Sequence, residues 1–214
     1  MNSEWIIKEF GRVGIIPVIV CEDPDQAEPL ADALADGGLP AAEVTFRRAG
    51  ADEVIARMRK RRPELLVGAG TVVDMADLEK ARKAGAAFAV SPGINREICE
   101  AAISMDLPFC PGVVTASELD LARGMGFRAV KFFPAEPAGG LRMIRALAGP
   151  FPMMRFMPTG GVSIKNADAY LSDPRIFCVG GSWIAPAALM AEGNYEQIRK
   201  NAEEAAGMVR SLRG

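Results

Sequence analysis

Eight short apolar runs recur along the chain at nearly even spacing, and this repetition constrains the fold more than any other feature. Each run is rich in Val, Ile, Ala and Phe, as expected of parallel strands that helices cover. The intervals between run starts are 20 to 27 residues, enough for a strand, a loop, a helix and a return loop. The runs begin near Gly14, Ala41, Leu65, Ala86, Leu107, Phe127, Met154 and Ile176. We therefore expect strand and helix to alternate throughout.

The segments between these runs support the alternation. Residues 25–35, 52–61 and 75–84 mix Ala, Leu, Glu, Lys and Arg at helical spacing, and glycines such as Gly85 stand where a helix would end. Eight such units predict an α/β fold, a single-domain (β/α)8 TIM barrel over residues 1–214. An extra N-terminal helix would occupy residues 1–13, the barrel core 14–186 and a C-terminal helix 187–214.

An open doubly wound sheet is the alternative architecture. Such a sheet would more often carry a GxGxxG turn after its first strand, and this sequence has none there.

Composition excludes several classes of function. The chain has no histidine, which removes Ser-His triads and HExxH zinc sites, so acid–base chemistry falls to other side chains. A formal net charge of −2 argues against nucleic acid as the main partner. No apolar run reaches the ~18 residues of a membrane span, and the start of the chain does not resemble a signal peptide. The four cysteines lack CxxC spacing, which indicates buried thiols in a reducing compartment. We therefore expect a cytoplasmic protein without a membrane partner.

Polar residues end the second apolar run. Glu43, Thr45 and Arg47 share one parity and Val44 and Phe46 the other, so a pleated strand would direct the polar three toward the barrel axis. Because unpaired buried charges are costly, these side chains need partners or a ligand. The alternative is that Glu43 and Arg47 pair with each other.

Lys131 lies inside the apolar sequence AVKFFPA, where a solvated lysine has little room. Burial and a cationic neighbour such as Arg47 would lower the lysine pKa from about 10.4 toward about 7–8, giving a nucleophilic amine. Such an amine attacks carbonyl groups. The alternative is a lysine at a strand end that extends to solvent.

Three further strand ends carry small polar residues and glycines. Thr71 closes the third run just after Gly68 and Gly70, which let a ligand approach, although it would also serve as a helix N-cap. The seventh and eighth runs end in the sequences TGG and GGS, around Gly160 and Gly181. Backbone amides after strands seven and eight form the phosphate site of many barrels, so these glycines predict phosphate binding.

Six motifs together resemble one enzyme family over about residues 15–186. They are EVTFR, VGAGTV, FAVSPG, VKFFPAE, PTGG and VGGSW, in this order and at these spacings. The set is similar to the 2-dehydro-3-deoxy-phosphogluconate aldolase / 4-hydroxy-2-oxoglutarate aldolase family, whose members are class I, Schiff-base aldolases. This resemblance is far more specific than any single motif.

The resemblance implies roles for individual residues. Lys131 would form the Schiff base, Glu43 would be the general acid–base, and Arg47 and Thr71 would contact the carboxylate at the pyruvate end. Phosphate would bind at Gly160, Gly161, Gly181 and Ser182, and Thr159 would favour the gluconate-derived epimer.

It also implies the reaction and its setting. A 2-keto-3-deoxy sugar acid phosphate would be cleaved to pyruvate and glyceraldehyde 3-phosphate, as in Entner–Doudoroff carbohydrate metabolism, by a homotrimer that needs no metal and no cofactor. The alternative substrates are 4-hydroxy-2-oxoglutarate and the galactonate epimer.

One residue, Arg48, departs from the family pattern, and the sequence is also compatible with two other functions. Arg48 stands where relatives often have a small polar residue, and by parity its side chain points outward. A sugar-phosphate isomerase or epimerase would use the same barrel with Lys131 in an electrostatic role. A barrel that binds sugar acids without turnover is the third interpretation.

Overall fold

The computed structural model describes residues 3–214, along which parallel strands alternate with helices. The strands are β1 Ile15–Ile19, β2 Ala41–Thr45, β3 Leu66–Gly70, β4 Ala89–Val90, β5 Phe109–Cys110, β6 Gly112–Val113, β7 Ala129–Phe132, β8 Arg155–Pro158 and β9 Val179–Gly181. The helices are α1 Ser3–Val13, α2 Ala27–Asp36, α3 Ala51–Arg61, α4 Met75–Lys83, α5 Arg96–Ser104, α6 Ala116–Gly124, α7 Gly140–Ala148, α8 Ala167–Leu171, α9 Ala187–Ala191 and α10 Tyr195–Arg213. The predicted α/β class is confirmed.

The strands form two parallel sheets. The larger has the order β5-β4-β3-β2-β1-β9 and the smaller the order β6-β7-β8. Single parallel bridges, Phe156 to Ile176 and Thr159 to Gly180, connect β8 with the segment that forms β9. Between β5 and β6 stands only Pro111, which has no backbone N–H to donate to a strand ladder. All of these strand pairings are parallel, so the carboxyl ends of the paired strands point the same way.

Helix α1 covers the amino ends of the strands. The ring of Phe10 packs edge-on against Phe88, just before β4, with ring centroids 4.6 Å apart. Its centroid is 6.2 Å from that of Phe177, just before β9. Because aromatic rings fill one end, the opposite end, where the strands terminate, is left for polar side chains.

Two predicted helices differ in their bounds. The helix expected over 25–35 begins later, because Pro24–Gln26 form a 3-10 turn capped by the Asp23 carboxylate. The C-terminal helix expected over 187–214 is divided into α9 and α10 at Gly193, whose φ of +64° ends the first helix. The first two residues of the expected N-terminal helix lie outside the described residues.

The four cysteines, Cys21, Cys99, Cys110 and Cys178, are free and buried, as expected. Burial raises the pKa of Cys99 to about 11, which keeps it a protonated thiol at neutral pH. Within residues 3–214, every helix is too short or too polar to cross a membrane.

Candidate active site

The centre of the site is a contact between Lys131 on β7 and Glu43 on β2. Lys131 Nζ donates a hydrogen bond of 2.8 Å to Glu43 Oε1, and the two residues are 4% and 0% exposed. In the sheets β7 lies between β6 and β8, not beside β2, so the contact crosses the interior. Lys131 therefore does not extend to solvent, and Glu43 pairs with Lys131 rather than with Arg47.

The strand beside Glu43 leaves room for its side chain. A Cβ at Gly70 on β3 would lie 2.6 Å from Glu43 Cγ, so any side chain at this position would displace the carboxylate. Glu43 Oε2 is buried and has no hydrogen-bond partner within residues 3–214. One carboxylate oxygen thus accepts a hydrogen bond from the lysine, and the other is left without a partner among the described residues.

An aromatic ring that the sequence reasoning did not single out lies near the amine. The centroid of Phe133 is 5.6 Å from Lys131 Nζ. Phe133 directly follows the last residue of β7 and is two residues beyond Lys131. Its place beside Lys131 in the apolar sequence AVKFFPA is the signal that could have identified it.

Arg47 and Thr71 follow the ends of β2 and β3. The strand parity holds as far as Thr45, whose Oγ1 donates 2.9 Å to the carbonyl of Ile19. Arg47 is in the turn beyond, exposed, and forms no hydrogen bond or ion pair with residues 3–214. The expected neighbour of Lys131 Nζ was a cation such as Arg47, whereas the group in hydrogen-bond contact is the Glu43 carboxylate.

Thr71 has an unusual backbone conformation. Its φ of +58° lies in the left-handed region, which costs a β-branched residue about 1–3 kcal/mol. It is not a helix cap, because Asp74 is the N-cap of α4 and accepts a hydrogen bond from the Asp77 amide. Strain of this kind is common where a loop holds a ligand.

Two glycine-containing loops meet at the carboxyl ends of β8 and β9. Gly160 and Gly161 have φ of +97° and +82°, and the bridge between Thr159 and Gly180 brings this loop against the end of β9. Gly181 is the last residue of β9, and Ser182 follows it and is exposed. Thr159 Oγ1 is buried without a hydrogen-bond partner in residues 3–214. The predicted phosphate residues and Thr159 are therefore neighbours.

Two other features bear on what the site binds. Arg48, beyond Arg47, is exposed as predicted, and its Nε is 4.0 Å from Glu22 Oε2 in the loop after β1. Residues 3–214 bring together no group of three His, Cys, Asp or Glu side chains that could hold a metal ion.

Known proteins are similar to this chain in sequence and in fold. A family model described as KDPG and KHG aldolase matches residues 6–201. The 2-dehydro-3-deoxy-phosphogluconate aldolase of Pseudomonas aeruginosa is 45% identical over 191 residues, which cover 89% of this chain and 87% of the relative.

Two solved structures are similar along almost their whole length. The KDPG aldolase of Legionella pneumophila, solved with pyruvate captured at low pH as a covalent carbinolamine intermediate, is 41% identical with a TM-score of 0.88, covering 91% of this chain and 97% of that one. The aldolase of Zymomonas mobilis, solved with 3-phosphoglycerate, is 40% identical with a TM-score of 0.89, covering 94% and 95%. On the strength of the family match and of these identities, the chain belongs to the KDPG and KHG aldolase family.

Proposed function

We propose that the protein is a class I aldolase that cleaves 2-dehydro-3-deoxy-6-phospho-D-gluconate to pyruvate and D-glyceraldehyde 3-phosphate. The observation that carries this proposal is the buried pair of Lys131 Nζ and Glu43 Oε1, 2.8 Å apart. An amine inside an apolar strand is suited to carbonyl addition, and the carboxylate in contact with it accepts and returns protons.

The first half of the reaction builds the electron sink. Glu43 takes a proton from the amine, and Lys131 Nζ adds to the C2 ketone of the substrate, giving a carbinolamine. Loss of water, with a proton from Glu43, leaves an iminium ion between Nζ and C2. This cation can accept the electron pair of the carbon–carbon bond that breaks next.

The second half breaks the C3–C4 bond. Glu43 removes the proton of the C4 hydroxyl, the C4–O bond becomes the aldehyde carbonyl, and the bond pair moves into an enamine on Lys131. Glyceraldehyde 3-phosphate leaves, and Glu43 returns its proton to C3 of the enamine. Water then hydrolyses the iminium ion, frees pyruvate and restores the amine, so the cycle requires no metal and no cofactor.

Residues at the ends of the site hold the substrate. Arg47, which has no ion-pair partner within residues 3–214, would bind the carboxylate through two charge-assisted hydrogen bonds, with Thr71 beside it. The amides of Gly160, Gly161, Gly181 and Ser182 would receive the phosphate. Holding both ends places C2 against Lys131, and positioning of this kind supplies about 7–11 kcal/mol in favourable systems.

The same proposal extends to architecture and assembly. We count β5 and β6 as one strand interrupted at Pro111, so residues 1–214 form one domain, a (β/α)8 barrel that closes through the bridges between β8 and β9. The family resemblance favours a homotrimer, and the composition favours the cytoplasm. Analytical sedimentation of the purified protein measures its mass in solution. A mass of three chains is expected, and a stable monomer would contradict the proposed trimer.

Trapping with pyruvate tests the mechanism. Borohydride reduces an iminium ion, so wild-type protein incubated with pyruvate should gain a stable adduct that peptide mass spectrometry places on Lys131. Lys131→Met should give no adduct and no cleavage, while Lys165→Met, at an exposed lysine, should behave as wild type. An isomerase or epimerase would leave wild-type Lys131 unmodified, and a non-catalytic binding protein would release no aldehyde in a coupled assay.

The choice of epimer is tested at Thr159. Its buried, unpartnered hydroxyl would contact the substrate near C4, so Thr159→Val should lower kcat/KM for the gluconate-derived substrate about tenfold. The same variant should change kcat/KM for the galactonate epimer less than threefold. Equal losses for both epimers, or preferred cleavage of 4-hydroxy-2-oxoglutarate by wild type, would contradict the assignment.

A further inference from the structure

A side-chain contact outside the reacting centre joins the loop after β7 to helix α8. The Tyr170 hydroxyl donates a hydrogen bond to Glu136 Oε1. Tyr170 is buried at 2% exposure, and Glu136 lies five residues beyond Lys131 in the loop before α7. The proposed aldolase mechanism uses neither residue.

Glu136 is held against the glycine loop proposed to bind phosphate. Its amide donates 3.0 Å to the carbonyl of Gly160, and the neighbouring amide of Ala135 donates 2.8 Å to the carbonyl of Thr159. From the other side, Asn166 Nδ2 donates 3.3 Å to the carbonyl of Gly161. The backbone of this loop is therefore fixed by its carbonyl groups.

The orientation of the Glu136 side chain separates its stem from its charge. A Cβ at Gly161 would lie 2.6 Å from Glu136 Cβ and 2.7 Å from Cγ, so the apolar stem faces the glycine loop. A Cβ at Gly140 would lie 3.1 Å from Glu136 Oε1 and 2.8 Å from the Tyr170 hydroxyl oxygen. The carboxylate is therefore turned away from Gly161 toward α7 and α8.

This orientation matters because a carboxylate close to a bound phosphate would repel it. Burial and the hydrogen bond to Glu136 raise the pKa of the Tyr170 hydroxyl, so it stays a donor throughout the neutral range. We propose that Tyr170 is a positioning residue for phosphate-bearing substrates, since its hydroxyl holds the Glu136 carboxylate away from the Gly160–Gly161 loop. The proposal rests on the function proposed above and deepens it.

The test is a comparison of two substrates in Tyr170→Phe, which removes the donor and keeps the ring. KM for the phosphorylated substrate should rise about fivefold or more, while KM for unphosphorylated 4-hydroxy-2-oxoglutarate stays within about twofold. The matched control is Tyr195→Phe, the same change at the other tyrosine, which should leave both KM values near wild type.

A charge-removing variant separates positioning from a structural role. Glu136→Gln alone keeps an acceptor for Tyr170 and should leave the ratio of the two KM values near wild type. In the double variant Y170F/E136Q the released side chain is neutral, so most of the lost affinity for the phosphorylated substrate should return. If Y170F is too unstable to assay, Glu136→Asp, whose side chain is one methylene shorter and keeps its charge, weakens the bond to the Tyr170 hydroxyl and should give the same selective rise in KM.

Failure of the inference is distinguishable from failure of the aldolase assignment. Pyruvate and borohydride should label Lys131 equally in wild type and Y170F, because pyruvate carries no phosphate. If wild type is not labelled, the aldolase proposal is wrong. If both are labelled but Y170F leaves the KM ratio unchanged, raises both KM values equally, or is not rescued by E136Q, the role of Tyr170 is overturned.

Discussion

At the scale of single residues, the site depends on two buried groups of opposite charge that would be costly apart. Removing one partner of a buried pair leaves the other uncompensated, and this cost typically exceeds that of an exposed pair several-fold. Lys131 and Glu43 satisfy each other through one carboxylate oxygen, while the second oxygen of Glu43 has no partner within residues 3–214. A substrate hydroxyl that donates a hydrogen bond to this oxygen would satisfy the last unpartnered atom of the pair.

The first prediction concerns this carboxylate. Glu43→Gln keeps the size and one hydrogen bond to Lys131 but cannot accept a proton, so kcat should fall by about 10²- to 10⁴-fold. Steady-state kinetics and the rate of iminium formation with pyruvate measure the loss. Glu22→Gln, at an exposed position beside Arg48, should be unchanged. An E43Q enzyme within threefold of wild type would exclude Glu43 as the proton carrier.

Strand parity accounts for how much of the site the sequence predicts. It directs Glu43 and Lys131 inward, and both are buried. It does not apply to Arg47, since β2 ends at Thr45 and the residues beyond follow a turn. Contacts between elements far apart in sequence, such as Tyr170 on α8 with Glu136 in the loop after β7, leave no periodic signal, so the sequence does not predict them.

At the scale of elements, α1 closes the amino end of the strands with Phe10. Phe10 is fully buried against the ring of Phe88. Phe10→Ala should lower the free energy of unfolding by about 3–5 kcal/mol, because it removes a buried ring and leaves a cavity. Urea unfolding followed by circular dichroism measures this.

The control for this prediction is at the other end of the chain. Leu212→Ala, at a residue that is 41% exposed, should change stability by no more than about 0.5 kcal/mol. The folded F10A enzyme should keep its kcat, because Phe10 is at the end of the strands opposite Lys131. A large loss of kcat with stability intact would contradict this division between the two ends.

A buried carboxylate ties α7 to the loop before β9 and gives the third prediction. Asp173 accepts 2.9 Å from Arg145 Nε and 3.0 Å from the Arg175 amide. Burial by itself would raise the pKa of Asp173, but the hydrogen bonds from both arginines outweigh it, so the pKa lies below its ordinary value. The ionised carboxylate therefore stabilises the folded state.

The pH dependence follows from that direction. Because the pKa is lower in the folded than in the unfolded chain, the stabilisation is complete above the unfolded value of about 4 and is lost as pH falls through the folded value. Asp173→Asn should cost about 1–3 kcal/mol at pH 7, and its difference from wild type should shrink below about pH 4. Asp120→Asn, in an exposed pair with Arg123, should change little at any pH. A D173N difference that does not vary between pH 3 and 7 would contradict the ion-pair role.

The positions of the elements are largely predictable, and their ends are not. Each of the eight apolar runs contains or leads into a strand, because parallel strands covered on both faces are nearly continuous in apolar residues. The ends depend on local caps and turns. The Asp23 carboxylate begins a 3-10 turn before α2, and Gly193 divides the predicted C-terminal helix.

At the scale of the whole molecule, the two ends of the described chain meet through Arg213. Its guanidinium donates 2.7 Å to the carbonyl of Phe177 and 3.0 Å to those of Gly11 and Ile176. These carbonyls belong to the end of α1 and to the segment before β9, so hydrogen bonds from Arg213 hold the end of α10 against the amino ends of the strands. Periodicity in the sequence predicts that α10 forms but not where its last residue binds.

The last prediction tests these hydrogen bonds. Arg213→Met keeps much of the apolar stem and removes the donors, so several carbonyls lose a partner and the free energy of unfolding should fall by about 1–3 kcal/mol. Hydrogen exchange should quicken first in residues 171–177, while the amides of β2 and β3 stay protected until global unfolding. Arg210→Met, one turn earlier on α10, should change stability by no more than about 0.5 kcal/mol, because the Arg210 side chain has no hydrogen bond within residues 3–214. Equal losses in the two variants would mean that the helix stem, and not the Arg213 guanidinium, holds the end of the chain.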